Sequence, residues 1–318
     1  MKIKAILIAL FLVARIPAMA QELPLILDKQ GTFEILKRTD YASSECGFTK
    51  AEVTANLQKI TDLVVLVRNN PVLSELKGFD GRARIYNSIA CQYEGIYGVP
   101  ARISFEFAAW YRLKDGREVR GLIEPPEWSI YINTIQPGWT SGFSRKPDLF
   151  AVPEKKETVE PGIDIYDGEC IVVYDPTRPD YWLPVTVKEA FDVFFAENKR
   201  NKDEIQRKMI LEMLDGEWAN VSPTDWNKPA TMSGMISRVG TMEGFPKIMK
   251  VNPAYWDKSK PKSDIQFITF RMVTNKKFME QRSKEWLKAN SISYHEARFE
   301  ESLDFDFVKS LVPLVGKK

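Results

Sequence analysis

The stretch ISFEFAAWYRLKDGREVRGLI, residues 103–123, decides the fold. Ile103, Phe105, Phe107, Ala109, Tyr111 and Leu113 stand at every second position, the period of a strand that lays one face on a core. Asp115-Gly116 supplies residues that tolerate positive φ in a tight hairpin turn, and Val119 to Ile123 returns from it. Trp128 to Ile135 offers a further strand after Pro125-Pro126. Upstream, Ala83, Ile85, Ile89, Cys91 and Tyr93 alternate with Arg82, Arg84, Tyr86, Ser88 and Gln92, again with period two.

Such a sheet needs a cover, and the segment before it supplies one. Thr49 and Glu52 make a T-x-x-E capping box, Pro71 marks the stop, and Val53, Leu57, Ile60, Val64 and Val67 repeat at helical spacing. A helix over 49–69 packed on an antiparallel sheet reads as an α+β domain, placed at residues 22–140.

From 141 to 162 the composition turns to Gly, Ser, Pro and mixed charge, which predicts a linker or a long surface loop, with an insertion loop in one continuous fold as the alternative. Beyond it, strands alternate with helices and suggest an α/β domain over 163–318. The expected elements are a strand at Glu169–Tyr174, a helix capped by a Thr186/Glu189 box, and a helix carrying Ile205, Met209 and Met213 that ends at Gly216. An irregular stretch from 221 to 261 follows. After it come a strand at Ile265–Val273, a helix at Asn275–Ala289, a strand at Ile292–Phe299 and a short helix at Ser302–Leu311.

The 318 residues carry 44% hydrophobic side chains, enough apolar mass for one large or two ordinary cores. Residues 1–20 have a basic head, an apolar run from Ala5 to Val13 and Ala18-Met19-Ala20, the layout of a cleaved secretory signal. Removing Lys2, Lys4 and Arg15 with it takes 45 basic residues to 42 against 43 acidic, a mature charge of −1. That balance argues against a nucleic-acid partner. No later apolar run is long enough to span a bilayer. A secreted or periplasmic location is therefore expected. An oxidising compartment makes a Cys46–Cys91 disulfide the preferred pairing, with Cys170 left over and three buried thiols as the alternative.

The chemistry-bearing residue types are sparse. His295 is the only histidine, which removes two-histidine zinc motifs, and its neighbours fit no metal-site spacing, so no metal is expected. The alternation predicted around it makes it a partly buried structural residue. No G-x-S-x-G elbow, G-x-G-x-x-G loop or Walker sequence occurs, and no cofactor is expected. Carboxylates could still act as a glycosidase pair, with Glu127, Asp180 and Asp257 beside aromatic residues.

One short element recurs. Pro179-Asp180-Tyr181-Trp182 and Pro253-Ala254-Tyr255-Trp256 share P-x-Y-W in proline-rich loops. Stiff loops can present Tyr181, Trp182, Tyr255 and Trp256 to a ligand with little entropy lost, although such rings also plug the edge of their own core. On the presenting reading, trimming either tryptophan leaves stability within about 1 kcal/mol. The sequence thus leads to a non-catalytic binding or interaction module of the cell envelope or exterior. Its partner would be an extracellular protein or a glycan. The alternative is a carboxylate-dependent hydrolase acting on glycans.

Overall fold

Thr49 starts the first helix by the chemistry its sequence promises. Its hydroxyl accepts the Glu52 N–H at 3.2 Å, and its own N–H donates to the Glu52 carboxylate at 2.7 Å. The helix is α1 (Lys50–Arg68) and buries Val53, Asn56, Ile60, Leu63, Val64 and Val67. A computed structural model describes residues 23–38, 47–87, 95–121, 125–135, 139–145, 148–233, 238–272 and 294–315.

In chain order, β1 (Phe33–Arg38) precedes α1; then come α2 (Pro71–Glu75), β2 (Phe79–Tyr86), β3 (Ala101–Arg112), β4 (Glu118–Arg120) and β5 (Glu127–Ile132). The strands β6 (Thr140–Arg145), β7 (Asp148–Val152), β8 (Lys155–Glu160), β9 (Ile163–Tyr166), β10 (Cys170–Tyr174) and β11 (Trp182–Pro184) follow. After them come α3 (Val187–Lys199), α4 (Glu204–Asn220), β12 (Thr231–Ser233), β13 (Arg238–Gly240) and β14 (Lys247–Val251). The described chain closes with β15 (Phe267–Arg271), α5 (Tyr294–Ser302) and α6 (Phe305–Val315).

Among the described residues these strands make two sheets. The larger runs β1-β2-β3-β5-β15-β10-β9-β8 with β4 beside β3, and the smaller runs β13-β12-β14-β7-β6 with β11 beside β14. All ladders are antiparallel except β1 with β2, which is parallel at the sheet edge. The class is α+β.

The strand order of the large sheet crosses the boundary expected at 141–162. β15, from the far end of the chain, lies between β5 and β10, pairing Ile268 with Ile132 on one side and with Val173 on the other. One core cluster accordingly joins Ile60, Ile103, Phe105 and Ile130 to Ile171, Ile268, Phe299 and Val308. Strands from both sides of that boundary thus pair antiparallel in the same sheet. The stretch 141–162, expected as a linker or a long surface loop, carries β6, β7 and β8. β8, Lys-Lys-Glu-Thr-Val-Glu, is exposed along most of its length and reads as a loop because it is a sheet edge, where charge discourages further pairing.

Alternation sorts side chains onto the two faces of the large sheet. Ile268 and Phe270, with Ile171 and Val173, meet α1, α5 and α6 on one face. Phe267, Cys170 and Val172 meet the smaller sheet on the other, in a layer with Phe150 and Val251. Because both faces are covered there, Cys-Ile-Val-Val-Tyr in β10 is apolar throughout.

Smaller expectations are corrected too. The Thr186 hydroxyl accepts the Glu189 N–H at 3.2 Å, but the Glu189 carboxylate takes Lys250 at 2.6 Å instead of reaching back, so the second box is half a box. α4 runs through Gly216 to Asn220, and its Ile205 and Met209 are exposed because only Leu214 on that helix is buried. The stretch 221–261 contains β12, β13 and β14. Residues 292–299 were expected as a strand, but α5 begins at Tyr294; His295 and Phe299, four apart, share a helical face as readily as a strand face. The Asp115-Gly116 turn is as expected, with Gly116 at φ +83°. The 1–20 signal, the Cys46–Cys91 pair and the 275–289 helix lie outside the described residues.

Residues 22–140 expressed alone should not fold. β5 would lose its β15 neighbour, and α1 would lose the Phe299 and Leu311 side of its core. Amide proton dispersion in an NMR spectrum of that fragment should be poor; a dispersed, cooperative spectrum would restore the two-domain division.

Candidate functional site

The two P-x-Y-W elements converge, but inside the protein. Tyr181, Trp182, Tyr255 and Trp256 are only 7, 6, 0 and 4% exposed. Tyr181 meets Tyr255 edge-on at 5.9 Å and Phe267 at 5.1 Å, while Trp256 lies 6.1 Å from Phe267. Trp182 packs against Phe150 at 5.4 Å and Trp139 at 6.2 Å. The rings fill the layer between the sheets, so presentation to solvent by stiff loops is corrected. The Tyr255 hydroxyl donates to the Gln266 carbonyl at 2.6 Å and accepts the Asp175 N–H at 3.2 Å, which ties the second element to both neighbouring strands. Trp128 belongs to the opposite core, against Phe105, Phe270 and Phe299.

Where this layer reaches the surface it floors a cleft of about 250 Å³. Tyr166, Tyr181 and Trp182 form the floor with Asp164, and Pro153, Pro184 and Met249 flank them. Glu154, Lys155, Asp180 and Lys247 also line it.

Asp164 organises that floor. It is an acid in the apolar strand β9, and strand alternation turns it away from Ile163 and Ile165 toward the tyrosines. Its carboxylate accepts the Tyr181 O–H at 2.7 Å, the Thr158 O–H at 2.6 Å and the Tyr174 O–H at 3.4 Å, with Lys155 Nζ at 3.5 Å. Tyr181 thereby spends its one proton. The 2.8 Å bond between the Tyr166 and Tyr181 hydroxyls must then run from Tyr166 to Tyr181. The result is a directed chain, Tyr166 to Tyr181 to Asp164, that leaves the remaining Tyr166 lone pair as an acceptor. Burial pushes both phenols above their ordinary range, so both keep their protons. The Trp182 indole N–H is buried without a hydrogen-bond partner.

A second cleft of about 650 Å³ shares Pro153, Glu154 and Lys247 with the first. It is walled by Lys228, Pro229 and the 241–246 loop, whose Phe245 is 45% exposed. The two make one groove along β14 and the start of β8.

The other acids singled out by their aromatic neighbours are engaged elsewhere. Glu127 pairs with Arg102 and Ser104 on the open sheet face, and Asp257 accepts the Ser259 N–H at 2.9 Å and its O–H at 2.6 Å in a turn. Arginines on that face are matched by acids: Arg82 with Glu34 at 3.4 Å, Arg84 with Glu106, and Arg120 with Asp80 at 2.8 Å. His295 lies apart from the groove, stacked on Phe79 at 4.6 Å. It is buried, as expected, but on a helix. Cys170 is a buried free thiol, pushed up to about 12 by burial. Among the described residues no group of three or more His, Cys, Asp or Glu side chains could hold a metal ion, and no helix is long and apolar enough to cross a membrane.

Asp164, Thr158 and Tyr166 escaped sequence reasoning because they follow or fall within the presumed linker. The available signal was a lone acid inside Ile-Asp-Ile-Tyr. Comparison of the chain with models of known families, with curated proteins and with solved structures finds no match.

Two measurements check these placements. Trp182→Ala and Trp256→Ala should each lower stability by about 3 to 5 kcal/mol in denaturant unfolding, as large core truncations do; losses under about 1 kcal/mol would return the rings to the surface. Burial, then the Arg298 charge, lowers His295 from 6.5 to about 4. A depressed folded-state pKa means that its contribution is complete above pH 6.5 and is lost as pH falls toward 4. The wild-type chain should therefore lose roughly 3 kcal/mol more than His295→Phe across that interval; parallel pH profiles for the two would refute it.

Proposed function

We propose that the protein is an exported, non-catalytic binding module of the cell envelope or exterior, and that its groove receives a glycan. The observation that carries this reading is the directed chain from Tyr166 through Tyr181 to Asp164 on the groove floor. A catalytic acid or base needs a proton or lone pair aimed at the reacting atom. Asp164 has its oxygens committed to Tyr181, Thr158, Tyr174 and Lys155. It fixes hydroxyl directions, and that favours recognition over turnover.

A sugar suits what lines the groove. Its hydroxyls can donate to the Tyr166 oxygen, and its C–H faces can lie on the Phe245 ring, which is the exposed aromatic surface there. Mixed rim charges, Lys155, Lys228 and Lys247 against Glu154, Asp167, Asp180 and Glu243, favour a neutral ligand over a polyanion. The joined clefts favour a chain of several sugar units over a single one.

One observation supports the alternative, a carboxylate-dependent hydrolase on glycans. Glu154 and Asp180 line the same cleft, and neither is among the partners of the buried network. Calorimetric titration with neutral oligosaccharides of increasing length, alongside an assay for new reducing ends, separates the two. Binding that tightens with length and weakens about fivefold in Phe245→Ala, with no new reducing ends, is the expected result. Reducing ends that disappear in Asp180→Asn or Glu154→Gln would establish the hydrolase, and no binding to any member of the series would remove the glycan reading.

A further inference from the structure

The helix α4 (Glu204–Asn220) is held from one side. Leu214 is buried, and Ile210 and Trp218 pack beside it in a core with Phe191 and Phe194 of α3. Trp218 lies edge-on to Phe191 at 5.2 Å and stacked on Trp226 at 4.9 Å. The Asp203 carboxylate caps the start of the helix by accepting the Gln206 N–H at 3.0 Å. These contacts fix α4 in the fold and leave its outer side to solvent.

That outer side is not a polar one. Ile205, at 83%, is the most exposed large apolar side chain among the described residues, and Met209, one turn on, is 62% exposed. At 3.6 residues per turn, Ile205, Met209, Glu212, Gly216 and Ala219 fall within about 80° of one another, so they make a single exposed stripe. Gly216 is a notch in it, because a Cβ there would meet nothing within 4 Å. A helix that only faces water gains nothing from two large apolar side chains a turn apart, and a glycine in its interior weakens it.

The charges beside the stripe point to what covers it. Lys208 and Glu212 pair along the helix at 3.9 Å, the long end of ion-pair contact, with side chains 76 and 67% exposed, and Asp215 is exposed on the same flank. The base thus stands a turn ahead of the two acids. A two-fold axis placed between Ile210 and Leu211, perpendicular to the helix, lays a second α4 antiparallel on the first and reverses that order. Lys208 then comes between Glu212 and Asp215 of the second copy, and the reciprocal contact repeats across the axis. The same register sets Ile205 over the notch at Gly216 of the second copy, and Met209 beside Met213 of the second copy. One rotation therefore matches the charges, the notch and the apolar side chains together.

We propose that this face of α4 is a homodimer interface, in which two copies of the chain pair their α4 helices antiparallel about a two-fold axis. One helix face buries less than the interface of a permanent dimer, so the association is weak, with a Kd on the order of 50 µM. No part of this rests on what the groove binds.

Sedimentation equilibrium of the full chain tests this, and the charges make the test specific to the register. Lys208→Glu and Glu212→Lys each set like charges across the axis and should raise Kd about tenfold. Mixed in equal amounts, the first variant brings two acids and the second two bases to these positions, so the mixture should recover association of wild-type strength as a heterodimer. Gly216→Gln fills the notch with a better helix former, so it should raise Kd at least about tenfold while the dilute monomer unfolds at or above the wild-type temperature. A chain that stays monomeric at ~500 µM would overturn the proposal. Single variants that weaken the dimer without recovery on mixing would overturn the antiparallel register, and a dimer that none of the variants changes would belong to another surface. A monomer that sediments with phosphatidylglycerol vesicles, and ceases to in Ile205→Lys, would give the face to a lipid surface instead.

Discussion

Everything in this fold depends on β15 finding a place between β5 and β10. Its five residues join the strands of 33–132 to those of 155–174 in one sheet, and its alternation supplies both cores at once. Ile268 and Phe270 belong to the helix-covered side, and Phe267 belongs to the aromatic layer under the smaller sheet. Pairing over such a sequence separation is entropically expensive and is repaid only when both faces are buried. The helices, the smaller sheet and the large sheet are therefore parts of one structure.

The groove is a consequence of that layering. Two sheets packed face to face leave a seam where one ends, and at this seam the aromatic layer meets solvent. A carboxylate so close to an apolar layer has to be satisfied by hydrogen bonds, and the neighbouring hydroxyls of Tyr181, Thr158 and Tyr174 do this for Asp164. Once they do, the direction of each O–H is fixed. A floor with fixed donors and acceptors can discriminate among polar ligands, because a wrong partner leaves a buried group unpaired.

The first helix, its capping box, the Asp115-Gly116 turn and the strand alternation of 103–113 were legible in the sequence, because each is decided by residues within a few positions of one another. The aromatic pairs were visible as a repeated pattern, but their burial was not: Tyr181 and Tyr255 are 74 positions apart, and only the packing of β11 and β14 over Phe267 encloses them. β8 looked like a linker because an edge strand is charged for the same reason that a loop is. The sequence by itself determined local elements and the scarcity of reactive residue types. The tertiary structure alone decided that β15 joins both sides of the large sheet, that Trp182 and Trp256 are core, and that Asp164 is the polar group of interest on the groove floor, because partner and burial are properties of distant chain segments brought together.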